Sequence, residues 1–437
     1  MENDWRSVLL EDVAIEVTVG HVGPMAVEYV EDGIPFLRSL NVEPLRINDN
    51  DLKYITPEFH SRLSKSSLKP GDVVIVRTGR PGSCAVIPEA LPVANCSDLV
   101  IVRCGPEINA RFLAYYINTA ASHHVRSHLV GAVQQHFNVG SAKTMELRLP
   151  SLCEQQRIAE ILGALDDKIE LNRKMNETLE AMARALFKSW FVDFDPVRAK
   201  AEGRDPGLPA HIANLFPDSL EGSELGKIPA GWQTERFGNV CERIFSGGTP
   251  STGKGEYWGG ELPWLSSGET RSKFITATEK FISPEGVENS STRFARVGST
   301  VIASAGQGNT RGQTSLLMLD TYINQSVVAL IPQESKSTDL HLFFDLERRY
   351  DEFRRVSDAH SSRGSLTTKL LGELVTVLPP LPLVRTFDRI VNPVVQKIAT
   401  SLREAHTLAS LRDALLPKLI SGEIKVGAAA NFKGATT

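Results

Sequence analysis

Residues 149–195 read LPSLCEQQRIAEILGALDDKIELNRKMNETLEAMARALFKSWFVDFD, and this stretch organises the rest of the chain. Its apolar residues recur at steps of mostly three or four, with charged or amide residues between them, as on one face of a helix. They are Ile158, Leu162, Leu165, Ile169, Met175, Leu179, Met182 and Leu186. A continuous helix over residues 154–190 would be about 55 Å long, which is longer than a small domain is wide. We therefore predict a rod that requires a partner.

A matching stretch begins at Leu378 and reads LPPLPLVRTFDRIVNPVVQKIATSLREAHTLASLRDALLPKLI. At an offset of 229 residues and without gaps, several positions of the two stretches coincide. The matched pairs include Ile169 with Ile398, Leu179 with Leu408, and Leu186 with Leu415. Two such helices most simply pack as an antiparallel coiled coil, although each could instead cover only its own domain.

Two prolines predict that the second rod is the shorter one. Pro393 either breaks a helix that begins near Leu383 or lies in the first turn of a helix capped by Asn392. Pro417 should end that helix near Leu416.

The segments that precede the rods are also repeated. GIPFLRS at 33–39 matches ELPWLSS at 261–267, and GDVVIVRTG at 71–79 matches GSTVIASAG at 298–306. Short Val- and Ile-rich runs broken by Gly and Pro indicate strands in both segments, with helices over about 108–129 and 338–356. Several matches in one order indicate an internal duplication. We predict an α+β fold with pseudo-two-fold repetition, in which two similar mixed domains are separated by the antiparallel helix pair.

This duplication divides the chain into successive parts, and the Pro- and Gly-rich segment in its middle is predicted to be a mostly irregular connector. The predicted parts are a first mixed domain (1–150), a central long helix (151–195), the connector (196–230), a second mixed domain (231–378), a distal long helix (379–425) and a tail (426–437).

Composition indicates an ordinary globular protein. The 437 residues are 41% hydrophobic, and no apolar run reaches the length of a membrane span, so we expect a cytoplasmic protein without a membrane partner. The five scattered cysteines favour reduced thiols. A net charge of −4 excludes a uniformly basic surface, but it leaves room for a locally positive concave patch.

Known catalytic motifs are incomplete or missing. GTPSTGK at 248–254 has the spacing of a phosphate-binding loop, but Gly255 stands where Ser or Thr should ligate magnesium. His124 and His128 lack a third metal ligand in the sequence. Motifs of DNA adenine methyltransferases and of Ser hydrolases are not found, so we predict a non-catalytic protein without a metal site.

Polar loops follow equivalent strands in the two domains. Their glycines allow close approach to a ligand, and their Arg, Gln and Asn side chains carry the paired groups that read base edges; the alternative for each loop is an ordinary solvated turn. The candidate DNA-binding residues are Arg38, Arg77, Arg80, Gln134, Gln135, Lys254, Gln307, Asn309, Arg311, Gln313 and Arg363. Among these we assign Arg38, Arg77 and Lys254 to phosphate contacts, and Gln307 and Arg311 to bases.

The run at 149–203, the later LFPDSLEGSELGKIPAGW and the distal LRDALLPKLISGEI together resemble the specificity subunit of type I restriction-modification enzymes. The resemblance covers nearly the whole chain. It implies two target recognition domains that each read half of a split, asymmetric DNA sequence. It also implies that the helices dock two modification subunits, with restriction subunits joining for cleavage. The implied cofactors belong to those partners and are S-adenosylmethionine, ATP and Mg, with none in this chain.

The resemblance assigns partner docking and helix pairing to residues on both rods. They are Gln155, Gln156, Ile158, Leu162, Leu165, Ile169, Leu179, Leu186, Ile398, Leu408 and Leu415. The acidic-Gln-Gln run of the family stands here as Glu154-Gln155-Gln156, but Leu383-Val384-Arg385 replaces it in the second rod. A rigid helix pair would fix the spacing of the half-sites at about one duplex turn, roughly 34 Å. The competing functions are a duplicated protein-binding adaptor without sequence readout and a self-contained restriction-methylation enzyme.

Overall fold

The computed structural model describes residues 5–127, 136–306, 308–360 and 365–426. Its contacts define two compact units. Unit 1 consists of Met1–Glu170 together with His406–Thr437, and unit 2 is Leu171–Ala405. Unit 1 is thus discontinuous, because residues from the far end of the chain complete it.

The described residues of unit 1 form short strands, five short α-helices and the beginning of a long one. The strands are β1 (Arg6–Leu9), β2 (Ala14–Val19), β3 (Tyr29–Val30), β4 (Ile34–Leu37), β5 (Val42–Glu43), β6 (Arg46–Ile47), β7 (Lys53–Ile55), β8 (Ser67–Leu68), β9 (Val73–Val76), β10 (Cys84–Val86), β11 (Ala94–Cys96), β12 (Leu99–Cys104) and β13 (Glu146–Leu149). The helices are α1 (Leu10–Val13), α2 (Pro57–Arg62), α3 (Ala110–Asn118), α4 (Ser122–Ser127), α5 (Val139–Lys143) and α6 (Leu152–Phe191), which continues into unit 2.

Unit 2 repeats this pattern after two short connector helices and a hairpin. Its strands are β14 (Leu220–Ser223), β15 (Gly226–Pro229), β16 (Gln233–Arg236), β17 (Cys241–Ser246), β18 (Trp258–Leu265), β19 (Phe274–Ile275), β20 (Lys280–Ile282), β21 (Arg293–Ala295), β22 (Thr300–Ala303), β23 (Thr314–Leu317), β24 (Thr321–Ile323), β25 (Val327–Pro332) and β26 (Val375–Leu378). Its helices are α7 (Asp195–Ala201), α8 (Ala210–Ala213), α9 (Phe237–Val240), α10 (Pro284–Glu288), α11 (Asp339–Glu347), α12 (Tyr350–His360), α13 (Thr368–Glu373) and α14 (Leu381–Ile420), which continues into unit 1.

The two units share one sheet topology. In unit 1 the strand orders are β10-β9-β12-β2 and β3-β7-β4-β11-β8. In unit 2 the corresponding orders are β17-β25-β22-β23-β19 and β20-β18-β24-β21. The central strands β9 and β22 are buried at every position, which explains why their sequences are short apolar runs without alternation. The predicted duplication and α+β class are confirmed.

In unit 1 the first part of α6 pairs with the last part of α14. Ile158 and Leu162 share a core with Leu416, Leu419 and Ile420, and all five side chains are buried. Beyond this core, Arg412 Nη1 donates to Asp166 Oδ1 at 2.7 Å. Residue numbers rise on one helix as they fall on the other, so the two segments are antiparallel.

In unit 2 the last part of α6 pairs with the first part of α14. Phe187 and Trp190 pack edge-on against Phe387, with ring centroids 5.6 and 6.2 Å apart. Val395 and Ile398 extend the same core and are fully buried. Of the other predicted core positions, Leu165, Ile169, Leu179, Leu186, Leu408 and Leu415 are partly buried. Met182, which the spacing placed on the apolar face, is 59% exposed.

The prediction of a shorter second rod is wrong, because α6 and α14 each contain 40 residues. Pro393 lies inside α14, on a face where Arg389, four residues earlier, is also exposed. Pro393 has no N–H to donate to the Arg389 carbonyl, but that carbonyl is near water, which lowers the free-energy cost of a proline inside the helix. On the opposite face, the buried side chains of Val391 and Val395 hold the helix in place.

Other boundaries also differ from the predictions. The connector is more ordered than expected, since α7, α8 and the β14-β15 hairpin lie within it. The first rod ends at Phe191, and Pro196 lies in the first turn of α7. The helices expected over 108–129 and 338–356 are each divided into two, α3 with α4 and α11 with α12. The short breaks between them carry no strong proline signal in the sequence.

Each long helix is joined to its domain at the N-terminus of a domain helix. In unit 1 this contact is made by Gln155, which is fully buried. Its Oε1 accepts from the Asn109 backbone N–H at 2.9 Å. Its Nε2 donates to the Glu107 and Pro150 carbonyls. In unit 2, the position 229 residues later is the buried Val384, and the polar contact comes instead from Asp388. Its Oδ1 accepts from Thr338 Oγ1 at 2.7 Å, at the N-cap of α11.

Burial raises the pKa of Asp388 to about 6, with Asp339 adding to the shift and the Thr338 hydrogen bond opposing it. A raised carboxyl pKa stabilises the fold fully below pH 4, and this contribution is lost as the pH rises through 6. We therefore expect Asp388→Asn to be more stable than the parent at pH 8, by up to about 3 kcal/mol, and equal to it near pH 4.

Urea unfolding at a series of pH values would measure this difference. Asp218→Asn, which changes an exposed carboxyl, is the control and should leave the profile unchanged. Burial lowers the pKa of His341 to about 4, but that contribution is common to the parent and the variant. A stability difference between parent and Asp388→Asn that is the same at pH 4 and pH 8 would contradict the prediction.

Candidate nucleic-acid interface

In unit 1, four segments meet beyond the end of strand β9. Arg77 follows that strand, and its Nη1 donates to Asp98 Oδ1 at 3.1 Å while its Nε donates to the Phe137 carbonyl at 3.1 Å. The Thr78 hydroxyl donates to the other oxygen of the Asp98 carboxylate. The Asp98 N–H reaches back to the His21 carbonyl at 3.3 Å. We call residues 20–28, 77–83, 97–98 and 136–137 the unit 1 loop cluster.

Unit 2 has the same construction beyond strand β22. Ser304 follows that strand, donates its N–H to the Ser326 carbonyl and accepts from the Leu366 N–H, both at 2.9 Å. Leu366 lies 229 residues after Phe137, which donates its own N–H to the Arg77 carbonyl. Thr249 Oγ1 lies 2.5 Å from Gln325 Oε1 and joins a further segment to this end. We call residues 247–257, 304–306, 308–313, 324–326 and 365–366 the unit 2 loop cluster.

In both clusters a glycine lies against the following helix. A Cβ placed on Gly82 would lie 2.9 Å from Val125 Cγ1, and one on Gly312 would lie 3.3 Å from Phe353 Cβ. Both glycines have positive φ, +92° and +87°, which other residues adopt at a cost. The glycines flagged in the sequence thus hold each loop close to its own domain.

Helix α12 fixes the course of residues 308–313 in unit 2. The Tyr350 hydroxyl donates to the Asn309 carbonyl at 3.0 Å, and Arg354 Nη1 donates to the Gly308 carbonyl at 2.7 Å. Arg311 forms an ion pair with Asp358 of the same helix. The exposed Asn309 side chain therefore projects from a loop whose backbone is held in place.

The candidate DNA-binding residues fall into distinct groups. Exposed side chains are Arg80, Lys254 and Asn309, partly buried ones are Arg38, Arg77 and Gln313, and Arg311 is buried with 8% of its surface exposed. Gln134, Gln135, Gln307 and Arg363 lie outside the described residues. The loop clusters include Arg77, Arg80, Lys254, Asn309, Arg311 and Gln313, whereas Arg38 lies next to the unit 1 cluster at the end of strand β4.

Several of these side chains already have protein partners. Arg38 Nη2 donates to Asp51 Oδ2 at 2.8 Å. Lys254 Nζ lies 3.0 Å from the Tyr257 hydroxyl and 5.0 Å from the centre of its ring. The pairing of Arg311 with Asp358 faces the guanidinium toward α12, so base contact by Arg311 would require this ion pair to rearrange. Its assignment to a base remains a prediction.

The structure corrects one docking residue. Gln155 was assigned to partner binding, but it is fully buried and holds the start of α6 to the N-terminus of α3. Gln156, the next residue, is exposed and remains a candidate for docking. Helical geometry is the physical reason, since adjacent residues point about 100° apart.

Neither of the alternative ligand sites considered in the sequence gains support. Lys254 is followed by a single 3-10 turn (Gly255–Tyr257) and then strand β18, so no helix N-terminus faces the 248–254 loop. Within residues 5–127, 136–306, 308–360 and 365–426, no group of three His, Cys, Asp or Glu residues could hold a metal ion. None of the helices in those ranges is long and apolar enough to cross a membrane.

Sequence reasoning missed the residues that position the loop clusters. Asp98, Tyr350, Arg354 and Asp358 make the contacts described above, but none belongs to a recognisable motif. Asp98 has φ of +55°, a left-handed conformation that Asp tolerates better than most residues. This preference is the one local signal that could have marked it as a turn residue.

Comparison with known proteins relates this architecture to one class. Residues 29–181 match the family model of the type I restriction modification DNA specificity domain. The specificity subunit of type I restriction enzyme HindI from Haemophilus influenzae is 28% identical over 325 residues, covering 65% of this chain and 70% of that protein. The specificity subunit of MjaIX from Methanocaldococcus jannaschii is 24% identical over 433 residues, covering 97% of this chain and 94% of that protein.

A solved structure has the same fold. The crystal structure of the type I restriction-modification system S subunit from M. genitalium aligns with a TM-score of 0.62 at 15% identity, covering 96% of this chain and 97% of that one. The solved structure shares the duplicated fold of this chain. Over nearly its whole length the chain is similar in sequence to type I restriction enzyme specificity subunits, and the resemblance that its sequence had indicated is confirmed.

We expect Tyr350→Phe to loosen the loop of residues 308–313, because the phenylalanine cannot donate to the Asn309 carbonyl. A hydrogen bond of about 1 kcal/mol corresponds to roughly fivefold faster amide hydrogen exchange in the loop. Hydrogen exchange with mass spectrometry would measure this change. Tyr322→Phe is the control, since the Tyr322 hydroxyl makes no hydrogen bond within the described residues. Equal exchange of the loop in all three proteins would contradict the expectation.

Proposed function

We propose that this chain is the DNA-targeting subunit of a type I restriction-modification enzyme and reads a bipartite, asymmetric target. The observation that carries the proposal is the duplication of the strand framework together with the difference between the two loop clusters. A shared framework approaches DNA in the same way twice, while different side chains at equivalent places select different half-sites.

The two loop clusters differ in the chemistry that they offer to base edges. The unit 1 cluster carries His21 and Arg77, and the unit 2 cluster carries Thr249, Asn309, Gln325 and Arg311, the last paired with Asp358. Arginine suits guanine, whereas Asn and Gln suit adenine. A target with two dissimilar halves follows from this difference.

The long helices are proposed to set the spacer and to bind the modification subunits. A helix of 40 residues is about 60 Å long, which is sufficient to span more than one turn of DNA. Both α6 and α14 carry apolar side chains on their outer faces, as in Leu171 and Met182, each 59% exposed, and Ile390, 40% exposed. Exposed apolar residues on a helix surface are suited to a protein partner.

The chemistry of methylation and cleavage is proposed to belong to those partners. This chain recognises the target sequence. The modification subunits use S-adenosylmethionine to methylate an adenine that is rotated out of the duplex. The restriction subunits use ATP and Mg for translocation and cleavage. The proposal that this chain is itself non-catalytic is supported by the lack of a complete catalytic motif in the sequence.

The competing function is a duplicated adaptor that binds only proteins. Binding of the complex with its modification subunits to duplexes of random sequence, followed by sequencing of the bound pool, would separate the two functions. Enrichment of one bipartite sequence supports targeting, whereas a pool without enrichment favours the adaptor.

We expect that insertion of one heptad into each helix, after Glu170 and after Ala405, lengthens the preferred spacer. Seven residues add about 10 Å, or roughly three base pairs, and a heptad keeps the same helix face toward its partner. Long-read mapping of methylated adenines in a host that expresses the variant would report the new spacer. Insertion of a heptad in the tail after Lys425 is the control. A spacer equal to the parent's in both variants would refute the proposal that the helix pair sets the spacer.

We expect Lys254→Ala to weaken binding to all DNA sequences alike, because a phosphate contact carries no base information. The slope of log affinity against log salt should fall by about one unit. Titrations of the complex with cognate and non-cognate duplexes at several salt concentrations would measure it. Lys397→Ala, on an exposed face of α14, should leave the slope unchanged. If Lys254→Ala relaxed a single base position with no change in slope, its assignment to phosphate would be wrong.

A further inference from the structure

The guanidinium of Arg77 is held by partners from two neighbouring segments of the unit 1 loop cluster. Two of its nitrogens are engaged, Nε by the Phe137 carbonyl and Nη1 by Asp98, and both distances are 3.1 Å. Asp98 is held in turn by the Thr78 hydroxyl and by its own backbone contact to His21. Arg77 is thus an arginine whose orientation is fixed by two neighbouring segments.

The remaining donors of Arg77 are accessible. Its side chain is 16% exposed, and Nη2 makes no hydrogen bond within the described residues, nor is it among the buried polar atoms that lack a partner. Nη2 therefore keeps both of its N–H donors, and Nη1 keeps one beside its bond to Asp98, so this end of the guanidinium can offer two parallel N–H groups in the unit 1 loop cluster. Parallel donors of this kind match two acceptors on one edge, as in guanine O6 and N7.

Electrostatics favours a base over a phosphate for this side chain. The carboxylate of Asp98 offsets most of the Arg77 charge, which weakens its attraction to the DNA backbone. A phosphate contact does not require a fixed orientation, whereas readout of two acceptors on a base does. Arg80, exposed in the same loop, has the opposite character and suits a phosphate.

Because the second domain has a different residue at the position of Arg77, base contact by Arg77 is specific to one half-site. Alignment of GDVVIVRTG with GSTVIASAG places Arg77 opposite Ser304. Ser304 is 4% exposed, and its backbone makes the contacts that hold the unit 2 cluster together. Unit 2 therefore has no long donor at this place.

We propose that Arg77 reads a guanine of the first half-site through its Nη1 and Nη2 end, and that Asp98 is the residue that positions it. This inference rests on the proposed targeting function and revises the sequence-based assignment of Arg77 to a phosphate. It makes one G·C pair of the half-site read by unit 1 dependent on these two side chains. The half-site read by unit 2 is independent of them.

The test compares Arg77→Gln, Asp98→Asn and the matched control Arg80→Ala, each in the complex with the modification subunits. Asn is suited to the left-handed backbone at position 98, and so it replaces the carboxylate without strain. Methylated sites are mapped in a host without restriction activity, and affinity is titrated against salt for cognate, single-substitution and non-cognate duplexes. Thermal unfolding of each complex identifies any variant that does not fold.

We expect Arg77→Gln to lose discrimination at one G·C pair by roughly 5- to 150-fold, with the salt slope unchanged. Asp98→Asn should relax the same pair by a smaller factor, and it provides the measurement should Arg77→Gln not fold. Arg80→Ala should instead lower the salt slope by about one unit and leave the motif unchanged. An unchanged motif in both Arg77→Gln and Asp98→Asn, or a loss of slope in Arg77→Gln, would overturn the inference. A parent complex that shows no bipartite motif would overturn the proposed function itself.

Discussion

The antiparallel packing of the two long helices is the interaction on which the rest of the structure depends. Neither helix could keep its apolar face in water, because each has buried positions along much of its length. In unit 1 the end of α14 closes the core that α6 begins, and in unit 2 the end of α6 closes the core that α14 begins. Each domain is thus completed by the helix that belongs to the other repeat.

The same packing explains why the two repeats can differ in detail. Gln155 joins α6 to its domain by three hydrogen bonds in unit 1, whereas the corresponding position in unit 2 is the apolar Val384 and the polar contact comes from Asp388. Each solution adds a hydrogen bond at the N-cap of a domain helix, since Gln155 accepts the Asn109 backbone N–H and Asp388 accepts from the Thr338 hydroxyl. With this junction satisfied in either way, the loop clusters at the strand ends are free to diverge.

The helices and the duplication could be predicted from the sequence because both are repeated patterns that involve many residues. Pro393 could not be interpreted correctly, since its cost depends on whether the freed carbonyl faces water, and that depends on the packing of Val391 and Val395. The loop clusters were located by their glycines, but the roles of individual residues were not. Arg311 and Arg77 look alike in the sequence, yet each is oriented by a carboxylate that is distant along the chain. Asp358 of α12, 47 positions away, orients Arg311, and Asp98, 21 positions away, orients Arg77.

The discontinuity of unit 1 also bears on how the protein is made. Leu416, Leu419 and Ile420 belong to the core of unit 1, but the ribosome adds them only after all of unit 2 has been synthesised. The first domain must therefore wait with an open apolar surface while the second one is being translated. Unit 2, a single continuous segment, has all of its residues available earlier. The part of the protein that begins first is thus completed by residues that are synthesised after those of unit 2.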